Sequence, residues 1–351
     1  MRIENLKITP EILSFISEID EFKGAWKALG QLAPEILTSL QQVATIESVG
    51  SSTRIEGSKL NDHEVEVLLN NIQLKKFETR DEQEVAGYSA AMNIIFQNFE
   101  HIALTENYIQ QLHKELLQYS EKDYWHRGQY KKFANHVEAF SADGKSLGVV
   151  FETASPFETY KRMNDLVGWA NQFYTEKKLH PLLIAAVFIV EFLAIHPFQD
   201  GNGRLSRILT TLLLLKTGYA YAPYGSLEAV IEQSKEAYYL ALRQTQGTLK
   251  LEEPNWQPWV SFFLNALKKQ KQRLEAKLER EKMLMGRLPA LSLQIIKLAK
   301  ERKRITKSEI AAFTNANSHT IKKHLEALVD KHFLQKNGVG KATWYSVKNS
   351  Y

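Results

Sequence analysis

Two long apolar runs, residues 181–195 broken only by Glu191 and residues 208–215 broken only by Thr210 and Thr211, stand out along the chain, and a twelve-residue segment separates them. Neither run alternates as a half-buried strand would, and each is apolar on all sides, so both predict buried helices. Helix-period patterning extends from about Thr9 to Leu267. One β-like stretch interrupts it: Asn135–Phe140 and Gly148–Thr153 flank the turn-rich Ser141-Ala142-Asp143-Gly144-Lys145, the pattern of a hairpin. Residues 268–282 mix both charge signs over several turns and predict a solvated connecting helix.

Beyond Gly286-Arg287-Leu288-Pro289 the pattern changes. A helix is predicted over Leu291–Arg302. Thr306-Lys307-Ser308-Glu309 is a capping box opening a second helix, and Ser318-His319-Thr320 opens a third. Leu334–Lys336 and Ala342–Val347 then flank Asn337-Gly338-Val339-Gly340-Lys341 as a second hairpin. The order resembles a winged helix-turn-helix. The expected fold class is mainly α, an all-helical core with a β-hairpin flap and a C-terminal winged helix-turn-helix domain. The expected divisions are 1–75 (N-terminal helical region), 76–267 (core), 268–286 (charged linker helix) and 287–351 (C-terminal domain).

The segment between the apolar runs reads His196-Pro197-Phe198-Gln199-Asp200-Gly201-Asn202-Gly203-Arg204-Leu205-Ser206-Arg207. Gly201 and Gly203 allow successive N–H groups to converge on an anion, and a helix starting at about Gly203 adds its unpaired N–H groups and positive dipole end. Arg204 and Arg207 share a face at i, i+3. Cations in a first turn oppose the dipole, so the pair points to an anionic ligand bearing several phosphates. Asp200 is a hard oxygen ligand of the kind Mg²⁺ prefers, and His196 stands where an imidazole could accept a hydroxyl proton. The segment fits neither the Walker nor the Rossmann pattern.

At these residues the chain resembles the Fic family, whose signature His-Pro-Phe-x-Asp/Glu-Gly-Asn-Gly-Arg-x-x-Arg it matches at every fixed position. The resemblance implies transfer of AMP from Mg·ATP to a Ser, Thr or Tyr hydroxyl of a protein, with release of pyrophosphate. It makes His196 the general base and Asp200 the Mg²⁺ ligand. Gly201, Asn202, Gly203, Leu205 and Ser206 become the anion-binding turn, with Asn202 on the α-phosphate, and Arg204 and Arg207 hold the β- and γ-phosphates. It also implies that the hairpin, with Gly148, Val149, Val150 and Phe151, is a flap that pins the target segment by strand addition. Tyr238, in Tyr238-Tyr239-Leu240-Ala241-Leu242, would lie by the adenosine. Gln246 stands where relatives have Asn, which weakens that contact.

Ser52-Thr53-Arg54-Ile55-Glu56-Gly57 resembles the inhibitory Ser/Thr-x-x-x-Glu-Gly/Asn pattern of some Fic proteins. The resemblance implies that Glu56 pairs with Arg207 and excludes the γ-phosphate. Taken alone, the segment is an ordinary helix end with Gly57 as its C′ residue. Arg54, about half a turn away, is expected to point elsewhere and to be dispensable for the pairing.

Composition adds limits. The chain has 351 residues and no cysteine, which excludes disulfides and thiolate metal sites. The start, Met1-Arg2-Ile3-Glu4-Asn5-Leu6, lacks a signal-peptide core, and the longest apolar run is about fifteen residues and contains Glu191, so the cytoplasm and no membrane contact are expected. Residues 287–351 hold 13 Lys/Arg against 4 Asp/Glu, although the whole chain is only +5. That concentrated charge would let Ser318, His319, Thr320, Lys322 and Lys323 face DNA, with Lys336 and Lys341 reaching phosphates. Expected partners are therefore ATP, a hydroxyl-bearing protein (the chain itself included), DNA, and a second copy in a homodimer. The competing reading is a DNA-binding regulator whose core senses nucleotide.

Overall fold

The computed structural model describes residues 3–29, 34–72, 77–140, 146–286, 289–330, 333–338, 340 and 343–347. The turn at 141–145, Arg287-Leu288, Val339 and Lys341 lie outside the described residues. The elements run α1 (Pro10–Leu29), α2 (Pro34–Ile55), α3 (Asp62–Asn70), α4 (Arg80–Asn98), α5 (Glu106–Leu116), β1 (His136–Phe140), β2 (Ser146–Glu152), α6 (Pro156–Glu176), α7 (Pro181–Ile195), α8 (Asn202–Lys216), α9 (Leu227–Gln233), α10 (Lys235–Gln246) and α11 (Gln257–Gly286). Then follow α12 (Ala290–Arg302), α13 (Lys307–Thr314), α14 (Ser318–Asp330), β3 (Leu334–Asn337) and β4 (Trp344–Val347). No helix among the described residues is long and apolar enough to cross a membrane.

Contacts divide the chain into two units, residues 1–30 with 44–272, and residues 31–43 with 273–351. In the first, α7 is the central column. Apart from Pro181 and Glu191, every residue of α7 is buried, and α6, α8 and α10 pack around it. Pro181 at the first helical position, under the ring nitrogen of His180, starts this helix, and α11 is tied to it by Trp259 Nε1 donating to the Ala186 carbonyl at 2.7 Å. Elsewhere the starts are written locally: Asn61/Glu64, Thr79/Glu82 and Ser155/Glu158 close reciprocal capping boxes. The antiparallel hairpin β1–β2 pairs His136 with Glu152 and Phe140 with Ser146, and two irregularities in its register bend it. β2 runs past α10.

Two expectations about organisation change. Residues 3–29 and 44–72 group with the core rather than standing as a separate N-terminal region. The charged stretch expected as a linker is the second half of the single 30-residue helix α11, which continues through 267 and 268. Helical hydrogen bonding needs no change at a composition boundary, so the switch from apolar to charged residues marks a narrowing of the buried face, to Gln270, Leu274 and Leu278, and not a chain break.

The second unit contains α12, α13 and α14, with the Thr306/Glu309 capping box in place, and the antiparallel hairpin β3–β4, which pairs Leu334 with Val347 and Asn337 with Trp344. Ile295, Ile310, Ile321, Leu325, Leu328 and Leu334 form its core.

Candidate active site

The apolar column α7 ends where His196 turns into the left-handed region (φ 52°, ψ 60°), and Pro197 follows. A left-handed non-glycine residue costs roughly 1–2 kcal/mol, so its surroundings must hold it. The His196 N–H donates to the Phe192 carbonyl at 2.9 Å, and ring Nδ1 lies 3.3 Å from the Leu193 carbonyl. A carbonyl only accepts, which assigns the proton to Nδ1 and leaves Nε2 with its lone pair. Burial, reinforced by the Lys131 charge and opposed by the Leu193 bond and by Glu56 and Asp200, lowers the ring's pKa to about 4. His196 is a neutral imidazole at neutral pH.

Gly201 caps α8 at φ 81°, a conformation that suits glycine, and makes no side-chain cap bond, so among the described residues the first N–H groups of that helix are left without a cap. The expected start at about Gly203 falls one residue late. Asn202 is buried, and its amide is engaged with one residue: Oδ1 accepts from the Phe198 N–H at 2.9 Å and Nδ2 donates to the Phe198 carbonyl at 2.8 Å. The side chain expected on the α-phosphate thus closes the loop upon itself here.

Asp200 remains ionised. Burial would raise its pKa, but Arg204, Lys122 and the Gly201 N–H outweigh this and hold it at about 2. Arg204 Nη2 lies 3.2 Å from Asp200 Oδ1, and Lys122 Nζ lies 3.3 Å from Oδ2. Arg204 is 2% exposed, and Arg207 3%. Arg204 Nε and Nη1 and Arg207 Nη1 are buried with no hydrogen-bond acceptor among the described residues, although Glu84 lies 3.4 Å from Arg204 Nη1. Buried donors of this kind are rare and call for an acceptor.

Arg207 meets the end of α2. Its Nε donates to Ser52 Oγ at 2.8 Å, and Nη2 donates to the Ser52 carbonyl at 3.0 Å and to Glu56 Oε1 at 2.8 Å. The same carboxylate lies over the glycine turn: a Cβ on Gly203 would stand 2.3 Å from Glu56 Oε1. Burial would raise the Glu56 pKa, yet Arg207 and then Arg204 pull it below the ordinary carboxylate value. Local backbone geometry delivers this glutamate. Gly57 (φ 106°) donates to the Arg54 carbonyl and Ser58 donates to the Thr53 carbonyl, a Schellman ending in which Glu56 is the C-cap.

Arg54 does point away from Arg207, but it is far from idle. Nε and Nη2 fork onto Glu232 at 2.6 and 3.0 Å, Nη1 reaches the Leu60 carbonyl at 3.1 Å and Asp62 at 2.9 Å, and Nη2 also reaches Ser51. The expectation that Arg54 is dispensable is therefore revised, since it pins the turn that carries Glu56.

Tyr238 is buried on α10 beside Arg207 and Ser206, with Trp259 and Phe262 against its ring. Gln246 is buried at the end of that helix, about two turns further on. Leu205 and Ser206 are also buried, Leu205 in the core and Ser206 with its hydroxyl on the Gly203 carbonyl. Gly148, Val149, Val150 and Phe151 all lie on β2.

His113 was not singled out from the sequence. It is fully buried on α5, its ring stacked on Phe198 at 3.8 Å; Nδ1 accepts from the Gly128 N–H at 2.9 Å, and Nε2 lies 3.0 Å from the Asp200 carbonyl. Burial first lowers its pKa, to about 3, against the opposing bond to Asp200. The available signal was a histidine on the buried stripe of an amphipathic helix, beside Ile109, Leu112 and Leu116.

The profile of the Fic/DOC family matches residues 103–214. The chain is 24% identical over 256 residues to the protein adenylyltransferase Fic of Drosophila willistoni, covering 72% of this chain and 46% of that protein. It is 25% identical over 169 residues to the protein adenylyltransferase fic-1 of Caenorhabditis elegans, covering 47% and 30%. The chain thus spans about half the length, or less, of these curated relatives. Among solved structures, a Fic family protein from Desulfovibrio desulfuricans superposes with a TM-score of 0.66 at 21% identity over 98% of both chains. A Fic domain-containing signaling protein from Bacteroides thetaiotaomicron gives 0.60 at 26% identity, over 77% of this chain and 97% of its own. The mainly helical fold is that of Fic proteins.

The two depressed histidines predict how stability responds to acid. Below pH 6.5 the unfolded chain binds protons that folded His196 and His113 refuse until about pH 4 and 3, so stability falls as pH drops through this window. Denaturant midpoints measured from pH 7 to 4.5 should decline, and the decline should be shallower in His196→Gln; equal slopes would contradict the assignment.

Proposed function

We propose that the Fic/DOC domain carried by this chain is a protein adenylyltransferase held at rest by Glu56. The target hydroxyl oxygen attacks the α-phosphorus of ATP, its proton passes to His196 Nε2, and the bond to the departing pyrophosphate breaks. Neutral His196 has a free lone pair for that proton. The uncapped N–H groups of α8 and the guanidinium groups of Arg204 and Arg207 face the phosphate charge, which is most of what such a transfer requires. Bound to the triphosphate, Mg²⁺ would neutralise charge, and Asp200, ionised and one-third exposed, has the chemistry to hold it. A strand edge of the two-stranded flap would receive a Ser-, Thr- or Tyr-bearing segment, from another protein or from the chain itself.

One observation carries this reading: buried guanidinium donors without acceptors meet an uncapped helix start beside a neutral imidazole. A polyanion suits the guanidinium and helix N–H donors together, and the free lone pair of the imidazole suits a hydroxyl donor beside it. The Glu56 carboxylate over Gly203 would occupy space and charge wanted by the γ-phosphate.

In Glu56→Gly, incubated with labelled ATP and Mg²⁺, self-modification and pyrophosphate release should rise at least tenfold. Melting should fall, because the nearly inaccessible Arg207 loses its carboxylate and keeps only the two neutral Ser52 acceptors, so a gain in activity would mark lost inhibition and not better folding. No gain at saturating ATP would end the inhibition reading. His196→Ala in that background should lose about 10²–10⁴-fold in rate while keeping nucleotide affinity. Arg54→Ala should also release activity, less than Glu56→Gly does, and should lower stability by about 1–3 kcal/mol because Glu232 and Asp62 lose their cation; unchanged activity would separate Arg54 from the resting state.

A second reading, in which the C-terminal unit is a winged helix that binds DNA, is favoured by one observation. Ser318, His319, Lys322 and Lys323 are exposed on α14 while Ile321, Leu325 and Leu328 are buried. Gel shifts of the full chain should then weaken steeply with salt, and Lys322→Ala/Lys323→Ala should reduce the slope by about 2. No binding at low salt would leave this unit a protein-contact role.

A further inference from the structure

Lys131 lies between α5 and β1 and is 3% exposed. Its three ammonium hydrogens go to neutral oxygens: Asn135 Oδ1 at 2.8 Å, Thr153 Oγ1 at 2.9 Å and the Ile195 carbonyl at 3.0 Å. Its backbone N–H donates to the Pro197 carbonyl at 2.8 Å. Lys131 therefore grips the residues immediately before and after His196, with its side chain and its main chain respectively. The other two acceptors are the feet of the hairpin, since Asn135 directly precedes β1 and Thr153 directly follows β2. The feet are also joined to each other and to the motif: Thr153 Oγ1 donates to the Asn135 carbonyl at 2.8 Å, and Asn135 Nδ2 donates to the Phe198 carbonyl at 2.8 Å.

Burying an ammonium among neutral acceptors is expensive compared with burying a hydrocarbon chain of the same length. Its pKa shows the cost, lowered to about 8 by burial first and by Arg162, against the pull of Glu158. We propose that Lys131 is a positioning residue that locks the left-handed His196 turn to the feet of the flap, so that the base and the strand edge presenting the acceptor hydroxyl keep one fixed geometry. This rests on the reading of His196 as the base. The nucleotide side of the site is built from α8, and Lys131 bonds none of its arginines, so the lysine should govern the transfer step and not ATP affinity.

The test uses the full chain in the Glu56→Gly background, with rate of transfer, ATP affinity and melting measured together. Lys131→Met, which leaves three buried oxygens without this donor, should melt lower than its parent yet bind ATP within about twofold of it, and transfer about 10–100-fold more slowly, the scale of a small misplacement at a reacting centre. Lys131→Arg, which restores donors, should recover part of the rate. Thr153→Val keeps the fold, removes one acceptor and the link to β2, and should give an intermediate loss; it decides the matter if Lys131→Met fails to fold. Parent rates in Lys131→Met and Thr153→Val, or losses of rate matched by losses of ATP affinity, would overturn the proposal. His196→Ala separates the two readings. If it is inactive while Lys131→Met and Thr153→Val run at full rate, only the positioning role fails; if it transfers at the parent rate, the base assignment fails and takes this proposal with it.

Discussion

A guanidinium buried at the positive end of a helix must meet negative charge, and the site around Arg207 is organised by that need. Arg204 and Arg207 are both nearly inaccessible on the first turns of α8, where the helix dipole disfavours cations. Carboxylates offset the cost: Asp200 and Glu84 at Arg204, Glu56 at Arg207. The two arginines are answered differently. Ser52 supplies Arg207 with a hydroxyl and a carbonyl, neutral acceptors that hold its fork in one orientation whatever anion stands beside it. Glu56 supplies charge, but from a side chain about one-third exposed at the end of a helix. On the proposed reading a γ-phosphate would exchange with that carboxylate while the orienting bonds stay, so the resting and productive states would differ by one anion and not by a rebuilt site.

Glu56 owes its place to backbone chemistry with no functional content of its own. The Schellman ending over Thr53, Arg54, Gly57 and Ser58 would form on any helix that reached a glycine at this position, and it sets the direction of the C-cap side chain. An ordinary helix end and the glutamate proposed as inhibitory are therefore the same structure. Arg54 supplies what a helix end lacks by itself, a tether. It bonds Glu232 on α9, the Leu60 carbonyl and Asp62 on α3, which fixes the turn against elements distant in sequence.

Legibility in the sequence followed the range of the interactions. The segment from His196 to Arg207 could be read in detail because one loop and one helix turn contain it, so residue order nearly fixes its geometry. The Thr306/Glu309 capping box was legible for the same reason. Lys131 and the Arg54–Glu232 pair were not, because the bonds that give them their place, to the Ile195 carbonyl and to Glu232, join residues 64 and 178 positions apart, and His113 showed only a histidine on a buried helical stripe, with its bond to Asp200 87 positions away. Asn202 shows a subtler limit. Its residue type suits phosphate binding, but an amide four residues from Phe198 can also close the loop on that residue's N–H and carbonyl, and it does. The expected division at 267/268 falls inside α11, near the division between the two units at 272/273, because composition changes where packing changes while the helix continues by hydrogen bonds indifferent to it.

The same separation of local and distant control applies to the imidazole. A histidine oriented by a carboxylate is made more basic, and its proton is held more tightly in the resting state. His196 is oriented instead by the Leu193 carbonyl, a neutral acceptor within its own turn, and burial with the nearby Lys131 charge outweighs the more distant Glu56 and Asp200. The outcome is a base that is free of its proton at neutral pH, at some loss of basicity. Such a base depends on placement more than on strength, because a weak acceptor gains its proton only when the donor is held within hydrogen-bond reach. That dependence gives a physical reason for retaining a costly buried ammonium across the carbonyls on either side of His196 and the feet of the flap.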